Sequence, residues 1–119
     1  MTFVNKTATT LENGVKNMMA GAKDDYFKWN SSGDGISNYA KEQLDAWDKN
    51  TKVSQGKKYI KVVQENGVFA FVCKTDFKHF KKGDILKAAG YNAPALNSAR
   101  GNILSGNYAI EWTGPLYLR

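Results

Sequence analysis

The chain is poor in the residue types that small proteins use for cross-links and metal sites. It has one cysteine, Cys73, and one histidine, His79, among 119 residues. A single cysteine excludes an intrachain disulfide, and one cysteine with one histidine is too few for a zinc site. No run approaches the roughly 20 apolar residues that a membrane-spanning helix needs. We therefore expect no metal, no other cofactor and no membrane partner.

A secretory signal is also missing from the sequence pattern. The first residues contain no apolar block of the length that signal peptides require. Cys73 ends the apolar run 68–73, which predicts a buried, reduced thiol rather than a nucleophile. Reduced thiols are typical of intracellular proteins, so we expect a cytoplasmic location.

Motifs for catalysis are scarce. His79 is flanked in sequence by lysines and phenylalanines, and no pattern places a nucleophile beside it. The glycines at 33 and 35 lack the Gly-Lys-Ser/Thr ending of a phosphate-binding loop. We predict no catalytic residues. A small hydrolase or transferase built around His79, Asp76 or Asp84 is the least favoured of three function classes.

Negative charge is scarce in the second half of the chain. Residues 1–56 carry seven lysines and seven acids, whereas residues 57–119 carry ten Lys and Arg against four acids, which accounts for the net charge of +6. Excess positive charge in one segment is typical of surfaces that bind polyanions. This asymmetry is the strongest functional signal in the sequence.

Two helices are predicted in the neutral segment. A capping-box pattern at Thr9 and Glu12, followed by apolar residues at helical spacing, predicts a helix over about 10–29. Met18 and Met19 lie on its apolar face, where core packing is favoured over a partner surface. A second apolar stripe predicts a helix over about 37–50, and residues 54–56 are interpreted as a hinge before the basic segment.

A β-hairpin is predicted at the start of the basic segment. Residues 57–64 alternate, Asn66-Gly67 supplies a tight turn, and residues 68–74 return. A two-residue loop would place Val62 opposite Phe71 and form an apolar core face. The other face would be mixed and partly exposed, and its residues are Tyr59, Lys61, Val63, Val68, Ala70, Val72 and Lys74.

Short helices are predicted near 84–100. Asp84 would cap the first and Gly90 would end it, and Pro94 would begin the second. This segment also resembles the helix-turn-helix of small bacterial repressors. Leu86 stands where such motifs need a small residue, so we favour two capped turns that cross one end of a sheet. Strands are predicted over 108–112 and 116–118.

These elements predict an α+β fold. Two N-terminal helices would pack on a small, mainly antiparallel sheet, or partly open barrel, of four to five strands. We expect one domain over residues 1–119, with a neutral helical part (1–56) and a basic sheet-containing part (57–119). An edge strand at 116–118 is a possible contact for a homo-oligomer.

The segment FKHFKK (77–82) alternates aromatic rings with cations. Lysines neutralise phosphates and aromatic rings stack on unpaired bases, so this pattern is compatible with nucleic-acid binding. The alternative is that Phe77 and Phe80 point into the core while the lysines keep a loop soluble. The predicted binding residues are Lys57, Lys58, Tyr59, Lys61, Lys74, Lys78, Lys81, Lys82, Lys87, Tyr91 and Arg100.

The last third of the chain, through the segments GDILKAAG (83–90), APA (93–95), ARGNI (99–103) and WTGPLYL (112–118), resembles small uncharacterised proteins of marine cyanophages. That resemblance implies a viral origin and a site of action in the host cytoplasm. It supplies no catalytic residues.

The favoured function is therefore a non-enzymatic nucleic-acid-binding accessory protein with a basic face. The main alternative is a protein-interaction module that docks on a host or virion protein. In that case the helix with Met18 and Met19, together with exposed aromatic residues, would matter more than the lysines.

Overall fold

The structure, a computed structural model, describes residues 1–32, 35–65 and 67–116. The fold is α+β, with one long helix and several antiparallel sheets. The helices are α1 (Leu11–Asn30), α2 (Asn38–Asp45) and α3 (Trp47–Asn50). The strands are β1 (Thr2–Val4), β2 (Ser31–Ser32), β3 (Gly35–Ile36), β4 (Lys52–Gln55), β5 (Tyr59–Gln64), β6 (Gly67–Cys73), β7 (Ile85–Leu86), β8 (Ala88–Gly90), β9 (Ala93–Pro94), β10 (Tyr108–Glu111) and β11 (Gly114–Pro115).

The long helix α1 confirms the first predicted helix. Its N-cap is Thr10, one residue after the predicted cap, and the Thr10 hydroxyl accepts from the backbone amide of Asn13 at 3.2 Å. Met18 and Met19 are buried in the core, so they form no partner surface. The second predicted helix is interrupted at Ala46, between α2 and α3.

The predicted hairpin is present as β5 and β6, although its register differs from the prediction. Gln64 pairs with Gly67, so Gly67 belongs to β6 and not to a two-residue turn. A bulge between Val62 and Val63 then changes the pairing by one residue, and Val62 pairs with Ala70 rather than with Phe71. A shift of one residue exchanges the two faces of a strand relative to its partner. The turn residue Asn66 lies outside the described residues.

Strand β6 is buried on both faces, because its residues belong to two core clusters. Ala70 and Val72 pack with α1 in the main core, which corrects the expectation that their face would be partly exposed. Phe71 and Cys73 lie on the other side, in a second cluster with Phe80 and Leu86. The four-stranded sheet has the order β4-β5-β6-β7, so the predicted hinge at 54–56 contains the end of a strand that pairs with β5.

The predicted helices near 84–100 are wrong. Ile85 and Leu86 form β7 beside β6, and β8 pairs with β9. Asp84 caps no helix, since its carboxylate accepts from the backbone amide of Lys81 at 2.9 Å and from Asn102 Nδ2 at 2.9 Å. Ile85 and Leu86 are both fully buried, and a short apolar run of this kind fits a buried strand as well as a helix. The helix-turn-helix resemblance fails with these helices.

A second sheet joins the two ends of the described chain, with the order β1-β10-β11. Thr2 pairs with Ile110 and Val4 with Tyr108, and both strands contact α1. The predicted strand over 108–112 is confirmed as β10. Leu116 lies outside any strand, and the other residues of the predicted strand 116–118 lie beyond the described part of the chain.

Candidate nucleic-acid interface

Six of the predicted binding residues lie at one end of the β5–β6 hairpin, opposite its turn. The backbone amide of Lys74 donates to the carbonyl of Lys58 at 2.8 Å, which joins the segment before β5 to the segment after β6. Lys74 Nζ donates to the carbonyl of Gly56 at 3.0 Å. We call this group the lysine end, and its members are Lys57, Lys58, Lys74, Lys78, Lys81 and Lys82.

A tight loop presents the lysines after β6. Phe77 and Phe80 exchange backbone hydrogen bonds of 3.1 and 2.9 Å, and Lys78 adopts a left-handed backbone with a φ of 52°. Phe80 is only 1% exposed and anchors the loop in the second cluster. Lys81 and Lys82 remain exposed. The core position expected for this pair of phenylalanines is therefore confirmed for Phe80, whereas Phe77 is partly buried.

The two acids of this loop are committed to backbone amides. Asp76 Oδ1 accepts from the amide of Lys82 at 2.7 Å, and Asp84 Oδ2 accepts from the amide of Lys81 at 2.9 Å. Every ion pair between described residues lies within residues 1–48. The ammonium groups at the lysine end therefore have no described carboxylate within ion-pair distance.

Aromatic rings support this end from beneath. Lys58 Nζ lies 5.6 Å from the centre of the Phe77 ring. Tyr59 packs edge-on against Phe71 at 5.9 Å and Phe77 at 5.8 Å. Burial raises the pKa of Tyr59. Its half-buried ring is engaged in the second cluster, so Tyr59 is poorly placed to stack on a base.

Tyr91 is the other predicted stacking residue. Its ring is 63% exposed and lies with its centre 3.4 Å from Lys61 Nζ, which also donates to Asn92 Oδ1 at 3.3 Å. Lys61 and Tyr59 point to the same side of β5, because residues two apart share a face. Tyr91 therefore offers an accessible ring beside a cation on the same side as the second cluster.

Lys87 and Arg100 bind the C-terminal part of the chain. Lys87 Nζ donates to the carbonyl of Pro115 at 2.9 Å, and Arg100 Nη1 donates to that of Leu116 at 2.9 Å. Burial and the neighbouring Arg100 lower the pKa of Lys87, whereas Glu111 opposes this effect. These two cations are separate from the lysine end, since both donate to carbonyls of residues 115–116.

His79 contacts a backbone carbonyl and an aromatic ring. Its Nε2 lies 2.9 Å from the carbonyl oxygen of Asn97, and its ring packs on Phe80 with the centres 4.0 Å apart. No carboxylate of a described residue forms an ion pair or hydrogen bond with it. A base that activates a nucleophile must lie within hydrogen-bond reach of it, and none of the described contacts provides this arrangement.

A pocket of about 140 Å³ was not foreseen from the sequence. Its aromatic lining comes from Tyr26, Trp47, Phe69 and Trp112, which belong to α1, α3, β6 and the turn after β10. No spacing rule connects these four positions, so only the folded chain reveals them as neighbours.

The described residues contain no group of three or more His, Cys, Asp or Glu side chains placed to hold a metal ion. None of their helices combines the length and the apolar character needed to cross a membrane. Comparisons with known proteins found no matching family model, no similar curated protein and no solved structure that matches this chain.

Proposed function

We propose that this protein is a non-enzymatic nucleic-acid-binding accessory protein that uses the lysine end to bind the phosphate backbone. The observation that carries the proposal is the set of six lysines brought to one end of the β5–β6 pair from the segments before β5 and after β6, where Asp76 and Asp84 accept from backbone amides. Exposed cations without paired carboxylates are available to neutralise phosphates.

The contacts that this surface can make are mainly electrostatic. Ammonium groups on flexible side chains read phosphate positions and carry little base information. Binding should therefore depend steeply on salt, because each phosphate neutralised releases condensed counterions. Tyr91 adds one exposed ring on which an unpaired base can stack.

We also propose where this protein originates and acts. The resemblance of the last third of the chain to cyanophage proteins supports a phage-encoded factor that acts in the host cytoplasm. A small accessory protein of this kind needs no catalytic residue.

Fluorescence anisotropy tests the proposal directly. Labelled single- and double-stranded DNA and RNA are titrated with the protein at about 50 mM and about 200 mM salt. Six phosphate contacts should weaken binding by about 10³-fold between these two conditions. Absence of binding at the lower salt concentration would refute the proposal.

A matched pair of double variants locates the surface. Reversal of Lys81 and Lys82 to Glu should weaken binding at least about tenfold and lower the salt slope by about two. The control reverses Lys41 and Lys49, two exposed lysines on α2 and α3, and changes the net charge equally. Equal losses in the two variants would show that net charge alone, and not the lysine end, drives binding.

A protein-interaction module is the second candidate, because several large apolar side chains are exposed near the end of α1. Trp29 is 69% exposed and Phe27 is 48% exposed. Aromatic anchors of this kind dominate many protein interfaces. A host or virion partner bound through them would not be displaced by an excess of unrelated DNA, whereas a ligand of the lysine end would be.

A further inference from the structure

We propose that the pocket between α1, α3 and the turn after β10 binds a methylated ammonium group. The pocket is lined by four aromatic side chains, Tyr26, Trp47, Phe69 and Trp112, and by the carboxylate of Glu65, and cations of this class are recognised by such aromatic surroundings. The inference is independent of nucleic-acid binding.

The aromatic walls meet at angles rather than in a parallel stack. The Tyr26 ring is 5.9 Å from Trp47 with the planes at 43°, and 5.2 Å from Trp112 with the planes at 85°. Trp47 is held in place by its indole nitrogen, which donates to the carbonyl of Met19 at 3.1 Å. Aromatic rings carry negative charge on their π faces, which attract a cation within about 6 Å of the ring centre.

The polar side chains of Tyr26 and Glu65 line this space. Tyr26 is only 7% exposed. Burial raises the pKa of Tyr26, and the nearby Tyr39 and Glu65 raise it further. The hydroxyl therefore stays protonated. Glu65 lines the pocket and forms no ion pair with a described residue.

The size of the pocket restricts its ligand. A volume of about 140 Å³ is several times the roughly 30 Å³ share of one water. It is also well below the roughly 300–1,000 Å³ of pockets that enclose drug-sized ligands. A compact head group fits these limits, whereas a nucleotide cofactor does not.

Local charge selects a cation over a phosphate. The pocket lies at the turn end of the β5–β6 hairpin, where Gln64 pairs with Gly67, and the lysine end lies beyond the opposite end, where Tyr59 pairs with Cys73. Among the described lining residues, Glu65 carries the only formal charge. A methylated ammonium neutralises the charge of the Glu65 carboxylate. Unlike a primary amine, it has no N–H groups that each need a hydrogen-bond acceptor.

NMR of the ¹⁵N-labelled protein tests the inference with choline as the probe. The indole signals of Trp47 and Trp112 should shift on titration, while that of Trp29, which is outside the pocket and 69% exposed, should not. The neutral isostere 3,3-dimethylbutan-1-ol should bind at least about tenfold more weakly, because the attraction of a cation to the rings is lost. Equal affinity of the two compounds, or no shift at Trp47 and Trp112, would overturn the inference.

A substitution of the exposed residue Glu65 gives a second test of choline binding and leaves the aromatic core unchanged. Glu65→Gln should weaken choline binding several-fold and leave the affinity of the neutral isostere unchanged. Glu42→Gln, a change at an exposed acid outside the pocket, is the control and should change neither. Equal effects of the two substitutions would contradict the role of Glu65.

A comparison of two compounds identifies the source of the methylated ammonium group. Choline represents a free metabolite, and N-acetyl-trimethyl-lysine amide represents a modified side chain of a partner protein. Tighter binding of either compound supports the inference and identifies its source. Failure of both would exclude the pocket without affecting the binding of nucleic acid at the lysine end.

Discussion

The carboxylate of Asp25 accepts a hydrogen bond at 3.0 Å from the backbone amide of Trp112, 87 residues further along the chain. Asp25 is fully buried. It also contacts the amino group of Met1 and lies 3.5 Å from the hydroxyl of Thr2. One side chain on α1 therefore joins β1 to the turn that follows β10.

Loss of this carboxylate should destabilise the fold. Asp25→Ala leaves the Trp112 amide without its acceptor, and an unsatisfied buried donor costs about 1–3 kcal/mol. Urea unfolding should show this loss, and Asp25→Asn, which retains an acceptor oxygen, should lose less. The control is Asp24→Ala, since Asp24 forms an exposed pair with Lys28 that should be worth less than about 1 kcal/mol. Equal effects at the two positions would contradict the role of Asp25.

Gly14 allows α1 to approach Ile103 closely. A Cβ atom built at this position would lie 2.8–2.9 Å from three atoms of the buried Ile103 side chain. Gly14→Ala should therefore destabilise the protein by about 1–3 kcal/mol, although alanine is the better helix former by about 1 kcal/mol. The exposed substitution Asn13→Ala on the same turn should be neutral or stabilising. A Gly14→Ala variant that unfolds at a higher urea concentration than the parent protein would show that Ile103 moves to make room for the added methyl group.

The Cys73 thiol should be unreactive in the folded protein. Burial raises its pKa from an ordinary value of 9.0 to about 11, and Asp84 contributes. A disulfide reagent at pH 8 should label the thiol only after unfolding, because the thiolate is the reactive form. Rapid labelling of the native chain would contradict the buried position.

The same shift predicts a pH dependence of stability. The unfolded chain releases the Cys73 proton at a lower pH than the folded chain, so the free energy of unfolding should fall as the pH rises from about 9 to about 11. Cys73→Ala should lack this part of the decline. The measurement is urea unfolding of both proteins across this range, and parallel curves would show that other groups cause the decline.

The cations of the basic segment should separate into structural and binding residues. Arg100→Lys retains the charge but cannot reproduce the three hydrogen bonds to Asn97, Ser98 and Leu116, so stability should fall by about 1 kcal/mol or more. Affinity for nucleic acid should remain the same. The reverse is expected for Lys78→Gln, which should change stability by less than about 0.5 kcal/mol and lower the salt slope by about one.

Both properties are measured on both variants, by urea unfolding and by anisotropy. A loss of affinity in Arg100→Lys as large as that in Lys78→Gln would assign Arg100 to the binding surface. The charge of Arg100 would then have to be available despite its contact with the carbonyl of Leu116.

Local signals account for the parts of the fold that the sequence predicts. Helix α1 follows from regular apolar spacing and a polar cap, and the β5–β6 pair follows from alternation on both sides of a turn signal. The register was not predictable, because it depends on the pairing of Gln64 with Gly67 and on the bulge between Val62 and Val63. The segment with Ile85 and Leu86 is too short to distinguish the periodicity of a helix from that of a strand, so its sequence predicts a helix where the structure has a strand.

The candidate sites were also predictable only in part from the sequence. Charge counting located the basic segment, and lysines close in sequence, such as Lys81 and Lys82, remain close in the fold. Sequence could not show that Lys87 and Arg100 are committed to carbonyls near the C-terminal end. It also could not bring Tyr26 and Trp112 together, since their contact depends on the completed sheet of β1 and β10.

The pairing of β1 with β10 has a consequence for the order of folding during synthesis. Thr2 finds its partner Ile110 only when more than a hundred intervening residues have left the ribosome. Until then the apolar face of α1 lacks the strand that covers it, and such nascent chains expose aggregation-prone surface. Long-range contacts of this kind also slow folding. Truncated nascent chains that lack residues 108–111 should therefore be sensitive to protease along α1, and release of the full chain should protect that helix.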